Sequence, residues 1–208
     1  MNKTISLIIV VFLLLTEFTF GQSIAFPDPA LEDLKSTNLS RANLSIYEEQ
    51  AILKWQDVLD YIAIIGSQKY NLELRETALK TTLSNFDAKA KLPCNWLSEP
   101  KGKVIGKHPT GCASQEVFQA LLERPSYELE VRTKSVKIQQ NLHEISKDIY
   151  QGELVYEQEI KTKKNKTTNT FQEGKTELIR VQFLLKRMDK QFGSTTEVVW
   201  EVKFLGML

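Results

Sequence analysis

Residues 150–161 read YQGELVYEQEIK. Tyr150, Leu154, Tyr156 and Ile160 fall on one parity, and Glu153, Glu157, Glu159 and Lys161 fall on the other. That alternation is the pattern of a strand in a sheet with one dry face and one wet face.

Downstream the same period continues to the C-terminus. A turn is expected around Lys164 and Asn165, a weak return strand over Thr167 to Phe171, and a second turn at Glu173, Gly174 and Lys175. Ile179, Val181, Phe183 and Leu185 then define an inner face, and Val198, Trp200, Val202 and Phe204 the last one, with Gly193 and Ser194 between them. Upstream, Tyr127, Leu129 and Val131 alternate with Glu128, Glu130 and Arg132, while Val136 and Ile138 continue on the opposite parity. A turn or bulge is expected in between, because a one-residue slip exchanges the two faces of a strand.

Before Pro125 the period is helical. Ser45 followed by Glu48 has the spacing of a capping box, which predicts a helix from Ile46 to Ile65 ended by Gly66. Ala51, Trp55, Val58, Leu59, Ile62 and Ile65 mark its buried side. Asn71 is expected to cap a second helix reaching about Phe86, with Leu72, Leu79, Leu83 and Phe86 inward. A third, short helix is expected between Ser114 and Pro125, burying Val117, Phe118, Leu121 and Leu122.

Helices followed by meandering strands predict an α+β domain, with N-terminal helices packed on a curved antiparallel β-sheet. Its expected span is 45–208, with a cysteine-bearing loop at 88–113 and an extended, Pro-containing arm over 22–44. Residues 1–21 have the layout of a signal peptide: Asn2 and Lys3, an apolar run from Ile5 to Leu15, and small residues at Thr19 and Gly21. Cleavage before Gln22 would put the protein in the periplasm or outside the cell, with no membrane span after cleavage.

Cys94 and Cys112 are the only cysteines, and an even count in an exported chain predicts a disulfide. A zinc site using both thiols and His108 is the weaker alternative, because two thiols and one imidazole leave the tetrahedron a ligand short. A redox pair is weaker again, since catalytic cysteines sit about one helical turn apart. No metal and no cofactor are expected.

The formal net charge of +1, from 27 basic and 26 acidic residues, gives no field that would gather nucleic acid. No Gly-rich phosphate loop, metalloprotease helix or nucleophile elbow occurs in the sequence. Lys161, Lys163, Lys164 and Lys166 crowd one expected hairpin tip, where they serve either docking on an acidic partner or lipid headgroups, or simple solvation of a turn that keeps a sheet edge from pairing. Trp96, between Pro93 and Pro100 and without periodic apolar companions, is either a plug under the cysteine loop or an exposed contact residue.

The helix holding Trp55 and Tyr61, the second helix ending in Leu83, Ser84, Asn85 and Phe86, and the closing strand after Phe192 and Gly193 through Val199, Trp200, Glu201 and Val202 carry a resemblance. Together they resemble exported bacterial domains, of Bacteroidetes type, with the nuclear-transport-factor-2-like (cystatin-like) cone fold. The resemblance covers Ser45 to Leu208 and implies a pocket at the wide end of the cone. Members that are isomerases or dehydratases place an Asp or a His–Asp pair there, which makes His143 the candidate base, with Asp57 and Asp60 on the first helix's polar side. The favoured expectation is a non-enzymatic binding or accessory protein of the cell envelope, holding a protein or small-molecule partner through a pocket or loop. A pocket enzyme and a self-associating subunit, such as a homodimer, are the alternatives.

Overall fold

The computed structural model describes residues 39–94, 96–97, 111–123, 128–163 and 176–208. The chain opens with helix α1 (Arg41–Gly66), followed by α2 (Leu72–Ser84), strand β1 (Phe86–Leu92), the two-residue β2 (Cys112–Ala113) and α3 (Ser114–Leu122). Four long strands follow: β3 (Glu128–Ser146), β4 (Ile149–Lys163), β5 (Thr176–Phe192) and β6 (Thr195–Met207). The strands form one six-stranded sheet in the order β2-β1-β6-β5-β4-β3. The domain is therefore α+β, as the change of period at Pro125 predicts.

The first helix starts earlier than its sequence suggests. Ser40, not Ser45, is the N-cap, and its hydroxyl accepts the Asn43 N–H at 3.2 Å. Ser45 is exposed within the helix, so the expected capping box does not form, and residues 41–44 belong to the helix instead of an arm. The cause lies in Glu48, which turns inward and is satisfied by stronger, charge-assisted bonds. Both Arg41 guanidinium nitrogens reach it at 2.8 Å, and the Leu142 N–H reaches it at 2.7 Å. Of the rest of the expected arm, Leu39 is buried, its N–H 3.4 Å from the Tyr150 hydroxyl, and residues 22–38 lie outside the described residues.

Asn71 caps α2 as expected, accepting the Leu74 N–H at 2.9 Å. Its inward side is Ala78, Leu79 and Thr82, while Leu72 is 58% exposed, contrary to expectation. Arg75 takes the place against the neighbouring helices instead. Its guanidinium donates to Ile65 O at 2.8 Å and to Leu122 O at 2.7 Å, so one cation serves the carbonyl ends of both α1 and α3. The third helix buries Val117, Phe118, Leu121 and Leu122, the four residues its period selects.

The sheet is mixed, not wholly antiparallel. β1 pairs parallel with β6, while every other pairing is antiparallel. Phe86 does not end α2 but begins β1, and 88–92 of the expected loop are strand, with Ala90 and Leu92 buried. The chain passes straight from α2 into the sheet: the Phe204 N–H donates to Asn85 O at 2.9 Å. Gly206 (φ +153°) makes the close pairing feasible, because a Cβ there would run into the Lys91 carbonyl.

The expected irregularity between Val131 and Val136 is present. Ser135 has φ 58° and the β3–β4 register shifts between Lys134 and Lys137. Leu154, Tyr156, Val181, Phe183, Leu185, Val202 and Phe204 face the helices and are buried. The opposite parity is not uniformly wet, since Val155 and Leu184 are buried there too. The expected return strand at 167–171 and both of its turns lie outside the described residues. Among the described residues no helix is long and apolar enough to cross a membrane.

Candidate functional site

The space between α1 and the sheet is occupied by aromatic rings. Trp55, fully buried, stacks on Trp96 with centroids 6.2 Å apart and meets Phe204 edge-on at 4.7 Å. Phe118 closes the group from α3, 6.1 Å from Trp96 and 5.3 Å from Phe86. Offset and edge-to-face contacts of this kind add stability beyond the area they bury.

One polar group serves this interior. Gln158, on β4, accepts the Trp96 indole N–H at 3.2 Å and the Tyr156 hydroxyl at 2.7 Å through the same Oε1. Burial pushes the Tyr156 phenol far above its usual pKa, so it remains a donor. The Trp55 indole N–H lies near enough to the phenol to favour its ionised form slightly, yet it makes no hydrogen bond of acceptable geometry.

Cys94 and Cys112 form a disulfide, with Cα atoms 5.0 Å apart. The bond joins the end of β1 to β2, where Lys91 pairs with Ala113 and Leu92 with Cys112. Two residues past Cys94, Trp96 is only 8% exposed and packs on Trp55, the burial expected of a plug under the loop.

His143 is exposed on β3, and its Nδ1 lies 3.3 Å from Asn141 O. Asp57 and Asp60 are exposed on α1. The structure therefore does not bring His143 together with the interior. Lys161 is paired with Glu159 at 3.4 Å, Lys163 closes β4, and Lys164, Lys166 and His108 lie outside the described residues. Among the described residues, no three His, Cys, Asp or Glu side chains are placed to hold a metal.

Two features escaped the sequence reading. The first is a projecting ribbon. β4 last pairs with β5 at Ile149 and Lys186, and the Arg187 N–H donates to Asp148 O at 3.1 Å; beyond that, among the described residues, β5 pairs with β6 alone as far as Phe192 and Thr195. Met188 (38% exposed) and Phe192 (53% exposed) share one face of this hairpin. Phe192 was visible in the sequence as an apolar residue beside a Gly-Ser turn, but nothing local says that the neighbouring strand stops short.

The second is an unpaired edge. β1 joins β6 only from Phe204 onward, leaving the earlier part of β6 without a neighbour on that side among the described residues. Lys54 of α1 reaches down to this edge and donates to Val202 O at 3.2 Å. Burial lowers the Lys54 pKa, which Glu201 partly opposes. Glu201 also binds Lys190 at 3.2 Å and Lys203 at 3.0 Å. Lys203 in turn donates to Ser84 O at 2.6 Å, tying the end of α2 to the strand.

No family model, no curated protein and no solved structure matches the chain.

Proposed function

We propose that this chain is an exported, non-catalytic binding or accessory domain of the cell envelope, a variant of the nuclear-transport-factor-2-like cone that recognises its partner on the outside of the sheet. The observation that carries the reading is the filled interior. Trp55, Trp96, Phe118, Tyr156 and Phe204 pack the space between α1 and the sheet with rings, and His143, the candidate base, is exposed on β3. Export is supported by the signal-like residues 1–21 and by the Cys94–Cys112 disulfide, since such bonds persist in oxidising compartments. The contact surface is the β5–β6 hairpin, where Met188 and Phe192 offer exposed apolar area on one face.

Photo-crosslinking in the intact envelope tests the reading. A photoreactive residue at Phe192 is expected to give a discrete adduct with another envelope protein, and one at Asp57 on the outer side of α1 is not. Adducts at neither position, or only with a second copy of the chain, would overturn it.

A further inference from the structure

We propose that the open edge of β6 from Thr196 to Trp200 pairs with the same edge of a second copy, forming an antiparallel dimer centred on Val198. The inference rests on strand geometry and not on what the domain binds.

Parity fixes which backbone groups face outward. The two-residue turn at Gly193 and Ser194 makes Phe192 and Thr195 the closing pair, so the odd-numbered residues from Thr195 to Lys203 bond to β5. The even-numbered residues face the other way. Two contacts agree: Val202 O takes the Lys54 ammonium, and the Phe204 N–H donates to Asn85 O. Thr196, Val198 and Trp200 therefore direct their N–H and C=O groups to a side that no described residue pairs.

This window carries a single charge, Glu197, as protection of its edge. The opposite edge strand, β3, is broken by four register shifts and carries exposed Lys134 and Lys137, devices that discourage pairing. In β6, Lys54 blocks the edge at Val202, but the run from Thr195 to Trp200 has no lysine, proline or bulge.

The side chains select one register and a second copy as the occupant. With Val198 on the two-fold axis, each Thr196 lies opposite the partner subunit's Trp200 and each Glu197 opposite the partner subunit's Val199. Sliding two residues toward the turn would set Glu197 against its own copy, and sliding the other way would set it against Glu201; both oppose like charges. In the chosen register no like charges face each other, so the edge is complementary to its own copy. One strand edge is a small interface, so the dimer is weak and concentration-dependent.

Sedimentation of the purified chain up to about 1 mM should show a reversible monomer–dimer equilibrium. Amide exchange at Thr196, Val198 and Trp200 should slow about tenfold as the dimer fills, with no such change along β3. Val198→Pro removes an outward N–H and no β5 bond, and should weaken association at least about tenfold. Val198→Lys and Val198→Glu should each be monomeric alone yet associate when mixed, because the axis then faces opposite charges. Circular dichroism confirms that each variant is folded. A wild-type chain that stays monomeric throughout, folded variants that dimerise like the wild type, or a Lys–Glu mixture that fails to associate would each overturn the proposal.

Discussion

Glu48 Oε1 accepts the backbone N–H of Leu142 at 2.7 Å, joining the first half of α1 to β3 across 94 residues of chain. Asn141 Nδ2 reaches the other carboxylate oxygen at 3.0 Å, and Arg41 grips both oxygens from the preceding turns of α1. An edge strand that pairs on one side only thus gains a second attachment, through a carboxylate that is 5% exposed.

That clamp should make stability depend on pH in a defined direction. Burial alone would raise the Glu48 pKa, but the bonds from Arg41, Leu142 and Asn141 outweigh it and hold the group below the usual carboxylate value. A depressed folded pKa contributes stability that is complete above the unfolded value of about 4.3 and is lost as pH falls through the folded value. Glu48→Gln should cost on the order of 2 kcal/mol at neutral pH. In urea melts across pH, the gap between variant and wild type should close under acidic conditions; a gap independent of pH would disprove the clamp's charge dependence.

The disulfide should act on both stability and Trp96. It closes a loop with a sequence separation of 18, for which the chain-entropy argument gives about 3 kcal/mol. Replacing both Cys94 and Cys112 by Ser should lower Tm by roughly 6–12 °C. It should also shift tryptophan emission to the red, because Trp96 loses the tether that keeps it buried. An unchanged spectrum in the doubly substituted protein would mean that the ring contacts alone hold the plug.

Gln158 and Tyr156 make an asymmetric pair. Tyr156→Phe removes one donor, while Gln158 Oε1 keeps the Trp96 N–H, so the cost should be about 1 kcal/mol. Gln158→Leu deprives both buried donors of their acceptor and should cost about 2–4 kcal/mol. Chemical denaturation of the two variants checks the order, and equal costs would show that Trp96 finds another acceptor.

What the sequence discloses follows the strength of its local signals. The alternation in Leu154 to Ile160 and in Val181 to Leu185 is strong because long strands under a helical layer need a continuous apolar face. α3 is legible for the same reason at the helical period. β1 was hidden: its segment FDAKAKL has only small or isolated apolar residues, and its position depends on Gly206, more than a hundred residues away. Glu48 misled because a carboxylate three residues after a serine looks the same whether it serves its own helix or a distant strand. The β6 edge was invisible because pairing is a property of neighbours, not of the strand's own residues.

Gly206 is the residue on which the parallel pairing turns. It lies opposite Lys91 at φ +153°, a conformation side chains rarely adopt, and any Cβ would overlap the Lys91 carbonyl. Gly206→Ala should therefore cost more than about 3 kcal/mol, against within about 0.5 kcal/mol for a solvent-facing change such as His143→Ala. The damage should be directional. β1 carries the strand end that leads to Cys94, so displacing it pulls the disulfide and Trp96 away from Trp55 while the β3–β4–β5 meander keeps its own ladder. Amide exchange should thus accelerate first in Phe86–Leu92 and last in Leu154 and Val181; uniform acceleration through all the strands would show that β1 is not separable from the rest of the sheet.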